Sequence, residues 1–69
     1  MGVVKVIEII SESSESWEAA TRMAVEEAAK TVDGIQNVNI KQFKAIVEDG
    51  KIVKYRISAK ISFLVEIDR

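Results

Sequence analysis

Between Ile52 and Ile67, apolar and polar side chains alternate with a period of two. Val53, Tyr55, Ile57, Ala59, Ile61, Phe63, Val65 and Ile67 share one parity. Lys54, Arg56, Ser58, Lys60, Ser62 and Glu66 share the other, with Leu64 the main exception. This is the pattern of a β-strand with one buried and one wet face. At ~3.3 Å per residue the run reaches ~53 Å, whereas a compact chain of this length has a diameter of ~28 Å. The strand therefore has to curl hard around something or run out toward a neighbouring subunit. Both point to a small subunit built for assembly.

Upstream, Val3 to Ile10 is rich in Val and Ile on both parities. That predicts a first strand, covered on both faces or paired centrally. Serines and glutamates then break the pattern from Ser11 to Ser16, with Ser13 the expected N-cap. From Ser14 to about Val32 the spacing changes to three and four. Trp17, Ala20, Ala24 and Ala28 form an apolar helix face flanked by Met23 and Val25. Glu18 with Arg22, and Glu26 with Lys30, are i,i+4 pairs in the favourable order. Alanines let such a helix lie close to a sheet, and Gly34 supplies its stop. Val38 to Val47 reads as a second strand with mixed faces. Asp49-Gly50 follows it, a hairpin signal because a type I′ turn needs two positive φ angles. The order is β-α-β-β, with the second and third strands antiparallel.

At 69 residues the chain is one domain at most, and marginal on its own. With no Cys and no His, disulfides and zinc sites of the usual kind are excluded. Oligomerisation is then the expected source of stability, which the 48% hydrophobic content supports. Ten basic and 11 acidic residues give a net charge of -1, which offers no sign of nucleic-acid binding. No run approaches the ~20 apolar residues of a membrane span. Lys5 and Glu8 argue against a signal peptide in the first strand. Absent cysteine suits the cytoplasm.

Ser–His and Cys–His nucleophiles are impossible within the chain. Glu8, Glu48, Asp49, Glu66 and Asp68 are scattered over strand and turn positions, and read as solvated surface charge. Trp17, on the apolar helix face, reads as core or subunit contact rather than a ligand platform. Lys54, Arg56 and Lys60 form a basic row on one strand face. It is either a solvated face or a wall for anions, with Glu8 and Glu66 as candidate internal partners.

The chain resembles the dodecin family over nearly its whole length. Val4-Lys5-Val6-Ile7-Glu8-Ile9-Ile10 is similar to that family's first strand, Ser16-Trp17-Glu18-Ala19-Ala20 to its helix start, and Ala28-Ala29-Lys30-Thr31-Val32 to its helix end. Val47-Glu48-Asp49-Gly50-Lys51-Ile52-Val53 resembles its hairpin, and the strand carrying Tyr55 and Phe63 its last strand. The resemblance implies an α+β fold, a three-stranded antiparallel sheet partly wrapped around one helix, in a single domain over residues 1–69. It also implies a non-enzymatic homododecamer, built from trimers as a hollow shell, that binds or stores a small ligand.

In the best-known relatives a Trp before the second strand stacks on a flavin, and a Gln on the third strand bonds the ring's polar edge. Aligned through Thr31-Val32-Asp33, these positions fall on Asn37 and Arg56. Lys44 keeps positive charge where some relatives contact a phosphate. The resemblance thus implies a modified cofactor pocket at Asn37, Arg56 and Lys44, with weak binding of FMN or riboflavin. Coenzyme A and calcium are the other ligands it implies. For calcium the oxygen carriers are Asn37, Asn39, Glu48 and Asp49, on symmetry-related copies. A cation-binding or purely structural shell is the first alternative, and a flavin-dependent enzyme subunit the second.

Overall fold

The computed structural model describes residues 2–67. The chain runs β1 (Gly2–Ser13), α1 (Trp17–Ala29), β2 (Ile35–Glu48) and β3 (Lys51–Glu66). The three strands form one antiparallel sheet in the order β1-β3-β2, and α1 lies on one face of it. The α+β, β-α-β-β reading therefore holds. The molecule measures 57 × 19 × 13 Å, with a radius of gyration of 14.5 Å against ~11 Å for a compact chain of this length. The long strand runs out rather than curling.

The central position belongs to β3, so β1 is an edge strand and not the central or doubly covered one its composition predicts. Its Val4, Val6 and Ile10 remain more than half exposed. Serines 11 and 13 continue β1 by pairing with Ile57 and Tyr55, which extends the strand past Ile10. The N-cap moves accordingly from Ser13 to Ser16. Ser16 has extended backbone (φ -169°, ψ 166°), and its Oγ accepts from the Ala19 amide at 2.9 Å. Ser13 Oγ instead accepts from the Glu15 amide at 3.0 Å, in the turn between strand and helix.

The helix is shorter than Ser14 to Val32. Its last turn tightens, with the Lys30 amide bonded to the Glu27 carbonyl and the Thr31 amide to that of Ala28. Lys30 also pairs with Glu27 rather than Glu26, at 2.9 Å. That hydrogen bond, with the charge beside it, raises the Lys30 pKa. Gly34 is not the helix stop. At φ +74° it turns the chain into β2, where its carbonyl accepts from the Leu64 amide at 2.9 Å. A Cβ there would stand 2.8 Å from the Leu64 carbonyl oxygen. Gly34→Ala should therefore cost more than ~1 kcal/mol, read as a lowered urea midpoint; an unchanged midpoint would contradict this.

The core is thin. Ala20, Ala24 and Ala28 of α1 press on Ile57, Ala59 and Ile61 of β3, with Ile7, Ile9, Val38 and Ile40 at its margins. Phe63 is buried as its parity predicts, and Tyr55 is half-buried. The mixed faces of β2 have a local cause. Ile40 opposes Ala59 but Gln42 opposes Ser58, so Lys41 is an extra residue. One extra residue reverses the parity that follows it. Val38 and Ile40 before the bulge, and Phe43 and Ala45 after it, consequently belong to the same face. Asp49 (φ 51°) and Gly50 (φ 74°) close the hairpin with the two positive angles its turn requires.

Candidate functional site

Directly opposed residues of antiparallel strands share a face. The register therefore assigns Glu8, Ile10 and Glu12 of β1 to the face away from α1, together with Lys54, Arg56, Ser58, Lys60 and Ser62 of β3. From β2 it adds Asn37, Asn39, Gln42, Lys44 and Ile46. All three expected pocket residues, Asn37, Lys44 and Arg56, are on this open face.

Within one chain they do not meet. Arg56 opposes Lys44, whereas Asn37 opposes Ser62. Six residues of β3 separate those two rows, a distance of ~20 Å. A small molecule touching Asn37 as well as the two cations would have to draw them from different copies of the chain.

The basic row is anchored by a residue the sequence reading passed over. Glu12 opposes Arg56 across β1 and β3, and its Oε1 accepts from Arg56 Nη2 at 3.0 Å. Lys54 Nζ approaches the other oxygen, Oε2, at 3.8 Å. Lys60 pairs with Glu8 at 3.7 Å, as expected, while Glu66 makes no ion pair among the described residues. These pairs are partly exposed, so each contributes at most ~1 kcal/mol; their main effect is to orient the cations. Glu12 escaped notice because it lies in the serine–glutamate run read as a turn. An alternation followed one step past Ile10 would have placed it on the strand.

Arg56 thus sits between an acid and a base. Glu12 flanks it on one side; on the other is Lys44, which has no ion-pair partner among the described residues. Like charges directly opposed across a sheet are unfavourable. Arg56 Nε is also buried without an acceptor. Ile10, Gln42, Lys44, Arg56 and Ser58 line a hollow of about 80 Å³ beside it. Pockets that enclose a whole cofactor measure ~300–1,000 Å³, so one chain supplies a corner of such a site. The chemistry of that corner suits an anion: a donor without an acceptor, and three cations, Lys44, Lys54 and Arg56, around the single carboxylate of Glu12.

Trp17, expected as core or subunit contact, is half-buried against the margin of the core. Its ring meets Tyr55 edge-on at 4.9 Å and Phe43 at 6.0 Å, and its Nε1–H donates to the Lys44 carbonyl at 2.9 Å. Among the described residues no three His, Cys, Asp or Glu side chains group as a metal site. No helix among them is long and apolar enough to cross a membrane.

The family model described as Dodecin matches residues 3–66. The chain belongs to the dodecin family. Dodecins are small binding and storage proteins, not enzymes, which agrees with the non-enzymatic reading. The chain is 45% identical over 64 residues to the calcium dodecin of Mycobacterium tuberculosis, covering 91% of this chain and 89% of that one. Among solved structures it resembles the Mycobacterium tuberculosis calcium dodecin, described as having a novel calcium-binding site. The TM-score is 0.82 at 34% identity, over 97% of this chain and 96% of that one. The dodecin of Streptomyces coelicolor gives a TM-score of 0.90 at 24% identity, over 97% and 96% of the two chains, a likeness of fold.

Proposed function

We propose that this dodecin, one domain over residues 1–69, assembles into a cytoplasmic homododecamer of trimers that holds a small phosphate-bearing ligand. Lys44 and Arg56 contact the ligand's phosphate, and Asn37 of another copy completes the site. The observation that carries this reading is the opposed Lys44–Arg56 pair, with its unpaired Arg56 Nε beside a polar hollow. The cysteine-free composition suits a reducing compartment.

A flavin ring fits these residues poorly. Asn37 has no π face, and Arg56 donates but cannot accept from the ring N–H. Coenzyme A, or the phosphate of FMN, suits the two cations better than the uncharged tail of riboflavin does. Replacing Asn37→Trp and Arg56→Gln together should raise riboflavin affinity roughly tenfold, since aromatic stacking contributes on the order of 1 kcal/mol per pair. Titration by flavin fluorescence quenching measures it. Equal affinity in both proteins would remove these positions from control of the pocket.

Calcium is the second reading, favoured by the 45% identity to a relative named for that ion. Asn37 and Asn39 share the open face of β2, whereas Glu48 and Asp49 lie at its other end near the turn, so a calcium site would draw oxygens from several copies. A native mass spectrum of the purified assembly tests both readings at once. A twelve-subunit mass with retained coenzyme A or FMN is the expected result. Calcium retained until chelation, with no organic ligand, would favour the second reading, and a monomer would overturn both.

A further inference from the structure

On the reading of the Lys44–Arg56 pair as an anion contact, the residue that holds the pair lies on the opposite, helix-covered side of the sheet. The sheet-facing side of α1 is built of Ala20, Ala24 and Ala28, which reach no further than the middle of β3. Trp17, in the first turn, reaches beyond them and touches both strands of the hairpin. On β2 its indole N–H holds the Lys44 carbonyl, and its ring meets the neighbouring Phe43. On β3 it meets Tyr55, the residue before Arg56. Past this point the hairpin continues without helix cover, and Val47, Ile52 and Val53 are exposed.

The strand that carries Lys44 is paired on one side only. β2 is an edge strand with a bulge at Lys41, three residues before Lys44. Bulges bend a strand and add twist. Fixing the Lys44 carbonyl fixes the peptide plane next to its Cα, and with it the direction in which the side chain leaves the opposite face. The indole therefore acts through the thickness of the sheet.

We propose that Trp17 is a positioning residue for anion binding. From the helix side it sets the spacing of Lys44 and Arg56, which grip a phosphate or diphosphate group on the open side. Because the chain has a single Trp, the same indole reports that event by its fluorescence.

The test is a double-mutant cycle on the intact assembly, with inorganic pyrophosphate as probe, titrated by calorimetry at low salt. Trp17→Phe keeps an aromatic ring and removes the N–H donor. It should weaken pyrophosphate binding about three- to tenfold, as expected for one neutral hydrogen bond. On a Lys44→Ala background the same change should have no further effect, because the backbone carbonyl that accepts the bond remains but the ammonium it positions is gone. Losses that add in the double mutant would mean a general structural role and overturn the inference, leaving the anion reading intact. No pyrophosphate binding by the unmodified protein would overturn the anion reading and the inference with it. Should Trp17→Phe fail to assemble, the unmodified protein decides: Trp17 emission should change on pyrophosphate addition and stay constant in Lys44→Ala. Constant emission in both overturns the inference.

Discussion

Ile61→Ala should destabilise the fold by about 2–5 kcal/mol. Ile61 is fully buried on the central strand, between Ile7 of β1 and Val38 of β2. Its ceiling is the alanine face of α1. Alanine side chains cannot swing into a void, so the cavity closes only if the helix itself moves. That places the cost toward the upper part of the range, because the penalty grows with the volume left unfilled. Urea denaturation at one fixed protein concentration measures it, since the proposed assembly would make stability depend on concentration. A loss under ~1 kcal/mol would show that the helix can settle onto the sheet.

The second large effect concerns assembly. Val47→Glu with Ile52→Lys should break the oligomer into small species while leaving the hairpin in place. Val47 and Ile52 are each more than half exposed at the end of the molecule that α1 does not cover. An apolar end of this kind calls for a partner surface, and in the proposed shell another copy provides it. Val47 and Ile52 oppose each other, so the introduced charges can pair across the strands. Sedimentation should show the twelvefold mass of the proposed shell replaced by monomers or trimers, with the far-ultraviolet spectrum retained. An unchanged mass would place the hairpin end outside the contacts that hold the shell together.

What could be read from the sequence follows how local each signal is. The parity of β3, from Tyr55 to Phe63, needs no knowledge of its neighbours, and the Asp49-Gly50 turn is fixed by two backbone angles; both are as expected. The N-cap was open to four serines between Ser11 and Ser16, and propensity could not choose among them. The choice was made by β1 pairing with β3 as far as Ser13 and Tyr55, a contact between residues distant in sequence. The same distance hid Glu12 from Arg56. The apolar residues on both parities of β1 suggested cover on both faces. Within one chain Val4, Val6 and Ile10 lack it, because β1 lies at the edge of the sheet and α1 covers only the other face. Between Val38 and Ile46 the alternation of β2 is sound on either side of Lys41 and looks mixed because its phase changes there. For the candidate site, Asn37, Lys44 and Arg56 share the open face, but Asn37 and Arg56 are far apart on it, a separation set by strand register that one strand's pattern does not carry.

The pairing of the first strand with the last also sets the order in which the chain can fold. The β2–β3 hairpin closes over two residues, and such a hairpin forms in ~1–10 μs. β1 pairs only with β3, and its register joins Gly2 to Glu66 across nearly the entire chain. Non-local closure of this kind is slow. The first strand to emerge during synthesis is therefore the last to find its place. In that interval Val3 to Ile10 is an unpaired β-forming segment whose apolar run is interrupted by Lys5 and Glu8. These two charges guard against premature self-association, so neutralising them should lower the soluble yield from cells more than it lowers the stability of protein that has already folded.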